Sequence, residues 1–138
     1  MKPLFVDTTV PLYAVGGPHP HKAACVAVLQ AATDRQVHLH ASAELVQEFL
    51  FHRLRRTSRP EAVAQTMDVV TLLTLYPFDS SVIDRMLAVV SAGAIGGRDA
   101  VHAATALGAG FDRIVTADTD FHAVPGLATV SPTEALAT

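Results

Sequence analysis

The sequence predicts a three-layer α/β sandwich, in which helices cover both faces of a central, mainly parallel sheet of five strands. Three observations lead to this prediction. Short β-like runs alternate with longer helical stretches along the chain. Several of these β-like runs are apolar throughout, as expected of strands that are covered on both faces. Strands that alternate with helices pair in parallel through right-handed crossovers.

The five predicted strands are short. They cover residues 3–6, 36–40, 72–76, 112–116 and 127–130. In a parallel sheet the carboxyl ends of neighbouring strands meet at one edge, and ligands bind beyond that edge where the strand order reverses. Polar residues that directly follow these strands are therefore the first candidates for a functional site.

Six helices are predicted around the strands, and a short helical turn is predicted after Thr8. The helices cover residues 20–33, 43–56, 60–71, 80–92, 98–109 and 132–137. Two of them begin with the spacing of a capping box, in which a serine and a glutamate three residues later satisfy backbone N–H groups of the first turn. The two pairs are Ser58 with Glu61 and Ser131 with Glu134. Ser42 and Asp79 are predicted to cap helices alone.

Composition limits the class of protein. The 138 residues predict one domain, 1–138, and a hydrophobic share of 50% with 17% charged residues excludes a disordered chain. The net charge of −3 argues against broad electrostatic capture of nucleic acid. The single cysteine, Cys25, excludes an intramolecular disulfide and is expected in the core. We expect no signal peptide and no membrane span, and therefore a cytoplasmic protein, because no apolar run is long enough.

Acidic residues follow two of the predicted strands. Asp7 directly follows the first strand, and Asp118 follows the fourth, with Asp120 two residues later. If the two strands are neighbours, the carboxylates of Asp7 and Asp118 converge. Each also has a purely structural explanation, because an aspartate in a turn often accepts backbone N–H groups. Asp118 and Asp120 share one turn, and one of them is expected to be only structural.

The helix over 43–56 supplies a further carboxylate. Glu44 and Glu48 are four residues apart and therefore share one helix face. At about 100° per residue, Glu48 lies closer than Glu44 to the apolar stripe that contains Leu45 and Phe49. Glu48 is therefore better placed to lean toward the sheet edge, although a rotation of the helix would reverse the choice.

The helix over 98–109 begins with another acidic residue. Asp99 precedes an alanine-rich run whose small side chains would let the helix pack close to the sheet, so that Asp99 lies near the strand ends. Helix capping alone also explains an aspartate there and would contribute about 1 kcal/mol. Arg98 is expected to pair with Asp99 or with a phosphate. His102 is expected to be a packed, hydrogen-bonded histidine and not a metal ligand.

Four of the ten basic residues lie in one short segment: Arg53, Arg55, Arg56 and Arg59. One interpretation is a solvated helix end, where cations suit the helix dipole. The other is a patch that steers phosphate or docks a partner.

Taken together, the acidic stretches give the chain a family resemblance. It resembles PIN-domain ribonucleases and, among them, the VapC-like toxins of type II toxin–antitoxin pairs. The stretches that carry the resemblance are Phe5-Val6-Asp7-Thr8-Thr9, Leu45-Val46-Gln47-Glu48-Phe49, Arg98-Asp99-Ala100-Val101-His102-Ala103-Ala104-Thr105-Ala106 and Val115-Thr116-Ala117-Asp118-Thr119-Asp120-Phe121. They occur in the family's order and span nearly the whole chain.

The resemblance implies an endoribonuclease that depends on Mg²⁺ or Mn²⁺, forms a homodimer and is blocked by a cognate antitoxin. Carried over by position, the family's catalytic and metal-binding acids are Asp7, Glu48, Asp99 and Asp118, with Asp120 as an accessory. Thr9 occupies a position where the family often has a small polar residue. Thr116 could donate a hydrogen bond to a ligand carboxylate. One or two metal ions are compatible with this set.

A rival class is a non-catalytic PIN-like module that binds RNA or protein and keeps the acids only for metal-dependent folding or docking. Measuring Mn²⁺ binding together with RNA cleavage separates the two. A phosphate-accepting receiver domain is disfavoured, because it needs a second acid beside Asp7 and a lysine near the last strand, whereas the only lysines are Lys2 and Lys22.

Overall fold

The computed structural model describes residues 1–137, and in it five strands alternate with seven helices. Strands β1 to β5 cover Lys2–Phe5, Val37–Ser42, Leu73–Tyr76, Arg113–Val115 and Ala128–Val130. Helices α1 to α7 cover Thr9–Val15, Lys22–Thr33, Ala43–Leu54, Arg59–Thr71, Ser80–Ala92, Gly97–Gly108 and Pro132–Leu136. Each predicted strand and helix is therefore present, and α1 is the helical turn expected after Thr8.

All the strand pairs are parallel, but they form two ladders. β2 lies between β1 and β3, and β4 pairs only with β5. The ladders meet at a single bridge, Val6 to Val115, where the Asp7 N–H also donates to the Val115 carbonyl at 3.0 Å. The prediction of one five-stranded sheet is thus not confirmed. The bridge joins Val6, the residue after β1, to Val115, the last residue of β4, so the two ladders meet only where these strands end.

Helices pack on both faces of the strands, because successive strand residues point to opposite sides. Leu4 and Leu39 belong to one buried cluster, which includes residues of α1, α2, α3 and α7. Phe5 belongs to the other, which is formed mainly with α6 and the segment after β4. Cys25 is buried in the first cluster, as predicted. In residues 1–137 no helix has both the length and the apolar character needed to cross a bilayer.

The alanine-rich helix α6 packs closely against the strands. Ala100, Ala103, Ala104 and Ala106 are each 0% exposed. Their small side chains let the helix axis approach the sheet, as the sequence predicts. This approach brings the first turn of α6, with Asp99, to the end of the molecule where β1 and β2 end.

Three of the predicted helix starts are confirmed. The Ser131 hydroxyl accepts the Glu134 N–H at 3.1 Å, and the Glu134 carboxylate accepts the Ser131 N–H at 3.1 Å, which completes a capping box. The Ser58 hydroxyl accepts the Glu61 N–H at 3.3 Å. Asp79 caps α5 by accepting a backbone N–H at 3.1 Å.

One capping prediction is wrong. Ser42 stands at the start of α3 but its side chain makes no cap; it is buried and lies 2.9 Å from Nδ1 of His102 in α6. Helix capping, the alternative explanation of Asp99, does not hold either, because the cap position of α6 is Gly96 and Asp99 lies inside the first turn.

Candidate active site

Asp7 is a buried carboxylate at the junction of the two ladders. Its side chain is 1% exposed, and Oδ1 accepts the Thr9 N–H at 3.0 Å and the Thr9 hydroxyl at 2.5 Å. Burial raises the pKa of Asp7 to about 6, against the lowering effect of hydrogen bonds from Thr116 and Thr9 and of the nearby His102. The local hydrogen bonds thus replace only part of the water that the carboxylate has lost.

Two threonines tie the loops after β1 and β4 together around Asp7. The Thr9 and Thr116 hydroxyl oxygens lie 3.4 Å apart, and the Thr9 hydroxyl accepts the Ala117 N–H at 2.9 Å. Thr116 also accepts the Asp118 N–H at 3.0 Å. A hydrogen bond from Thr116 to a carboxylate was expected, and the hydroxyls of both Thr116 and Thr9 are hydrogen-bonded to the Asp7 carboxylate.

Glu48 is held by a buried histidine from α6. Nε2 of His102 lies 2.6 Å from Glu48 Oε1, and Nδ1 lies 2.9 Å from the Ser42 hydroxyl. The Thr8 hydroxyl donates to the same Glu48 oxygen at 3.2 Å. With a proton on Nε2, His102 donates to Glu48, and its Nδ1 can accept from the Ser42 hydroxyl, so that each of these polar groups has a partner. One oxygen of Glu48 is therefore fixed by the protein.

The second oxygen of Glu48 faces Arg98. Nη2 of Arg98 lies 3.4 Å from Glu48 Oε2, and the Arg98 side chain is 69% exposed. Burial alone would raise the pKa of Glu48, but the hydrogen bond with His102 and the electrostatic effects of His102 and Arg98 outweigh it and lower the pKa. Arg98 therefore pairs with Glu48 and not, as expected, with Asp99.

Asp99 and Asp118 lie within electrostatic reach of the other acids. Burial raises the pKa of Asp99; the nearby His102 opposes that effect, and the charges of Asp118 and Glu48 add to it. Such repulsion requires the three carboxylates to be near one another. Asp120 is exposed, and its N–H donates to Asp118 Oδ1 at 2.8 Å, so its observed contact is a turn contact.

A cavity of about 430 Å³ opens beside these groups. Its walls include Thr9, Glu48, His52, Arg98, Asp99 and His102. The Asp7 carboxylate is hydrogen-bonded to the Thr9 side chain, which lines the cavity. Asp118 lines a smaller cavity of about 240 Å³ together with Thr116. Glu44 lines neither of the two cavities. Glu48 and Asp99 therefore line one cavity, whereas the buried Asp7 does not line it but is hydrogen-bonded to Thr9, which does. Asp118 lines the smaller cavity, and Asp120 lines neither.

The family assignment rests on a match that covers most of the sequence. The PIN domain family model matches residues 4–127, nearly the full length of the chain. The chain belongs to the PIN domain family. Among the catalogued relatives of this PIN domain is Ribonuclease VapC13 of Mycobacterium tuberculosis, 28% identical over 127 residues that cover 90% of this chain and 96% of the relative.

Solved structures resemble this PIN domain in fold. VapBC of Salmonella typhimurium bound to DNA matches with a TM-score of 0.74 and 14% identity over 96% of this chain and 99% of that one. Mycobacterium tuberculosis VapC20, described as a sarcin–ricin loop cleaving toxin, matches with a TM-score of 0.70 and 16% identity over 86% and 92%. At this level of identity the likeness shows the fold alone.

The carboxylates of this PIN domain suit a hard divalent cation by their chemistry. Within residues 1–137 no three histidine, cysteine or acidic side chains are arranged as a preformed metal cage. Mg²⁺, however, takes only one or two direct carboxylates and keeps several waters. The raised pKa values of Asp7 and Asp99 identify carboxyl groups that a nearby cation would stabilise in their charged form.

His102 is packed and hydrogen-bonded, as predicted, but its partners were not predicted from the sequence. His102 joins Ser42 to Glu48, two residues from a different part of the chain. One signal was available, because His102 lies three residues after Asp99 and therefore shares its helix face. His52 also lines the cavity and was not predicted. It lies four residues after Glu48 and therefore shares its helix face, which was a signal of the same kind.

Proposed function

We propose that this PIN domain is a divalent-metal-dependent endoribonuclease and the toxin of a type II toxin–antitoxin pair. The observation that carries the proposal is that Glu48 of α3 and Asp99 of α6 line one cavity whose Thr9 side chain is hydrogen-bonded to the buried Asp7. The similarity to VapC13, a protein named as a ribonuclease, supports RNA as the substrate.

Asp7 and Asp99 are the residues that would hold Mg²⁺ or Mn²⁺, with Glu48 and Asp118 acting through water and Asp120 as an accessory. Burial raises the pKa of both Asp7 and Asp99, so a bound cation would stabilise the charged forms of both carboxylates. When bound, the ion supplies a water of lowered pKa and positive charge against the phosphate.

The chain's own residues would orient the water and the phosphate. His102 and Thr8 occupy one oxygen of Glu48, so the other oxygen is the one available to accept a proton from water. Arg98 lies beside that oxygen and is largely exposed, so it can exchange its weak ion pair for a contact with the scissile phosphate. The substrate would be unpaired RNA, since side chains cannot read the deep, narrow major groove of an RNA helix.

Two protein partners belong to this proposal. Solved relatives in fold are described as VapBC and toxin–antitoxin complexes, which supports a cognate antitoxin that covers the site. A homodimer is proposed as well, and the exposed apolar side chains of α5 support it.

Asp7→Asn tests the proposal directly. We expect Mg²⁺-dependent RNA cleavage to fall on the order of 100-fold or more, because the variant removes a charged ligand of the ion. Titration with Mn²⁺ should show weaker binding in the same variant. Asp68→Asn is the matched control, since Asp68 is exposed on α4 and the change in charge is the same.

Two results would contradict the proposed endoribonuclease activity. Full cleavage by Asp7→Asn would remove Asp7 from the mechanism. Mn²⁺ binding by the unmodified chain without any cleavage of RNA would favour the rival function, a PIN-like module that binds RNA or protein without turnover.

A further inference from the structure

We infer that a second cavity, next to the candidate active site, binds one nucleotide of single-stranded RNA beside the scissile bond. This inference rests on the proposed ribonuclease function and adds a binding subsite to it. The cavity, called here the nucleotide cavity, has a volume of about 420 Å³. It is lined by Leu12, Tyr13, Gly16, His52, Arg53 and Arg56.

The nucleotide cavity lies next to the active-site cavity. Leu12 from α1 and His52 from α3 line both of them. A single strand that places one phosphate beside Glu48 and Asp99 would therefore have an adjoining nucleotide between α1 and the end of α3. Its volume lies in the range of ligand pockets, roughly 300–1,000 Å³.

The charge of the nucleotide cavity is opposite to that of the active site. Arg53 and Arg56 line it, and among the described residues no aspartate or glutamate does. Nε of Arg53 donates to Gln65 Oε1 at 2.9 Å, which holds the guanidinium in place, while Arg56 is exposed. A phosphate group next to the carboxylates would thus find its positive partners here.

The structure divides the basic cluster of the sequence in two. Arg53 and Arg56 belong to the nucleotide cavity, whereas the guanidinium of Arg55 lies 5.5 Å from the centre of the Phe51 ring. Arg59 is exposed at the first residue of α4 and does not line the cavity. The chain therefore contains its own control for the effect of positive charge alone.

An aromatic side chain completes the nucleotide cavity. Tyr13 lines it, and its ring is stacked on His19 with centroids 4.2 Å apart and an angle of 22° between the rings. His21 lies against the same ring at 5.7 Å. Aromatic rings held beside arginines are a common platform for the bases of single-stranded nucleic acid. An acidic protein segment would use the arginines but would gain little from this platform.

RNA binding without cleavage tests the inference. The Asp7→Asn chain in EDTA would be titrated into fluorescent single-stranded eight-residue oligoribonucleotides, and binding followed by anisotropy. Arg56→Ala in that background should weaken binding about tenfold and reduce the slope of log K against log salt by roughly 0.7, the value for one lost phosphate contact. Arg59→Ala, with the same loss of charge outside the cavity, should change affinity less than about twofold.

Tyr13 variants test base stacking. Tyr13→Phe should keep affinity, whereas Tyr13→Leu, which keeps an apolar side chain but no ring, should lose about tenfold. An oligonucleotide of the same length without bases should remain sensitive to Arg56→Ala and become insensitive to Tyr13→Leu. Equal effects of Arg56→Ala and Arg59→Ala, or no effect of Tyr13→Leu, would overturn the inference.

Two further results separate the possible failures. A glutamate-rich peptide that displaces RNA and whose own binding depends on both Arg56 and Tyr13 would assign the cavity to protein and overturn the inference. Binding that depends on Arg56 and Tyr13 in a chain that never cleaves RNA would support the nucleotide cavity and reject the ribonuclease. RNA cleavage that is unaffected by either variant would reject the cavity alone.

Discussion

A buried carboxylate is stable in its charged form only when hydrogen bonds or cations replace the water it has lost. Asp7 receives hydrogen bonds from Thr9 and Thr116, yet burial still raises its pKa to about 6. The residue at the centre of the site is therefore also a source of instability when no cation is present. Such conflicts between stability and local chemistry are expected at functional positions.

This conflict predicts how stability depends on pH without divalent ions. Between about pH 4 and 6 the folded chain keeps the Asp7 proton while the unfolded chain has lost it, so stability falls as pH rises through that window. At pH 7 the charged group costs on the order of 3 kcal/mol. Asp7→Asn should therefore be more stable than the unmodified chain at pH 7 in EDTA, and similar to it near pH 4.

Urea unfolding at pH 4 and pH 7 measures this difference. Asp68→Asn, an exposed aspartate on α4, should show no comparable gain at pH 7. If Asp7→Asn changed stability equally at both pH values, the Asp7 carboxyl would not carry the raised pKa.

At the scale of elements, one histidine connects three segments of backbone. His102 of α6 contacts Ser42, which joins β2 to α3, and Glu48, which lies one turn and a half further along α3. This contact orients Glu48 with respect to the strand ends. A helix rotation was the alternative that the sequence left open for Glu44 and Glu48, and the contact with α6 decides it.

A double-mutant cycle tests the link between α6 and β2. His102→Leu leaves the buried Ser42 hydroxyl without its partner, and Ser42→Ala removes the hydroxyl. We expect the two changes to be non-additive in unfolding free energy by roughly 0.5–3 kcal/mol.

Thr66→Val is the control for Ser42→Ala, because Thr66 is buried but its hydroxyl donates to a carbonyl of its own helix at 2.8 Å. The pair of His102→Leu and Thr66→Val should be additive within about 0.5 kcal/mol. Additivity of the first pair would contradict the proposed link.

At the scale of the whole molecule, helix α5 is incompletely covered. It has no buried residue, and Ile83 and Leu87 are 41% and 57% exposed. Its main packing partner is α6. Apolar side chains that share an exposed helix face often lie at an interface. This surface is therefore where we place the proposed homodimer contact.

Leu87→Glu is expected to convert the homodimer to a monomer, because it puts a charge at the centre of the apolar face of α5. Sedimentation velocity at micromolar concentration measures the change. Val26→Glu is the control, since Val26 is 42% exposed on α2, away from α5. A chain that is monomeric without any substitution, or a dimer that survives Leu87→Glu but not Val26→Glu, would contradict this placement.

Local signals in the sequence were enough to place the strands and helices of residues 1–137 to within about two residues of their observed ends. Hydrophobic period and capping serines such as Ser58 and Ser131 are local patterns, so they can be recognised along the chain. Similar reasoning identified Asp7 and Asp99 as candidates, because one follows a strand and the other begins a helix. Glu48 was identified by its place on the face of its helix, close to the apolar stripe.

What only the tertiary structure decided are the partners of those side chains. Ser42 is hydrogen-bonded to His102 instead of capping α3, and Glu48 forms an ion pair with Arg98. The end of β4 meets the residue after β1 at a single bridge. These outcomes depend on the distance and angle at which α6 and β4 approach β1 and β2. That approach is the sum of many packing contacts between residues far apart in number, and no local pattern encodes it.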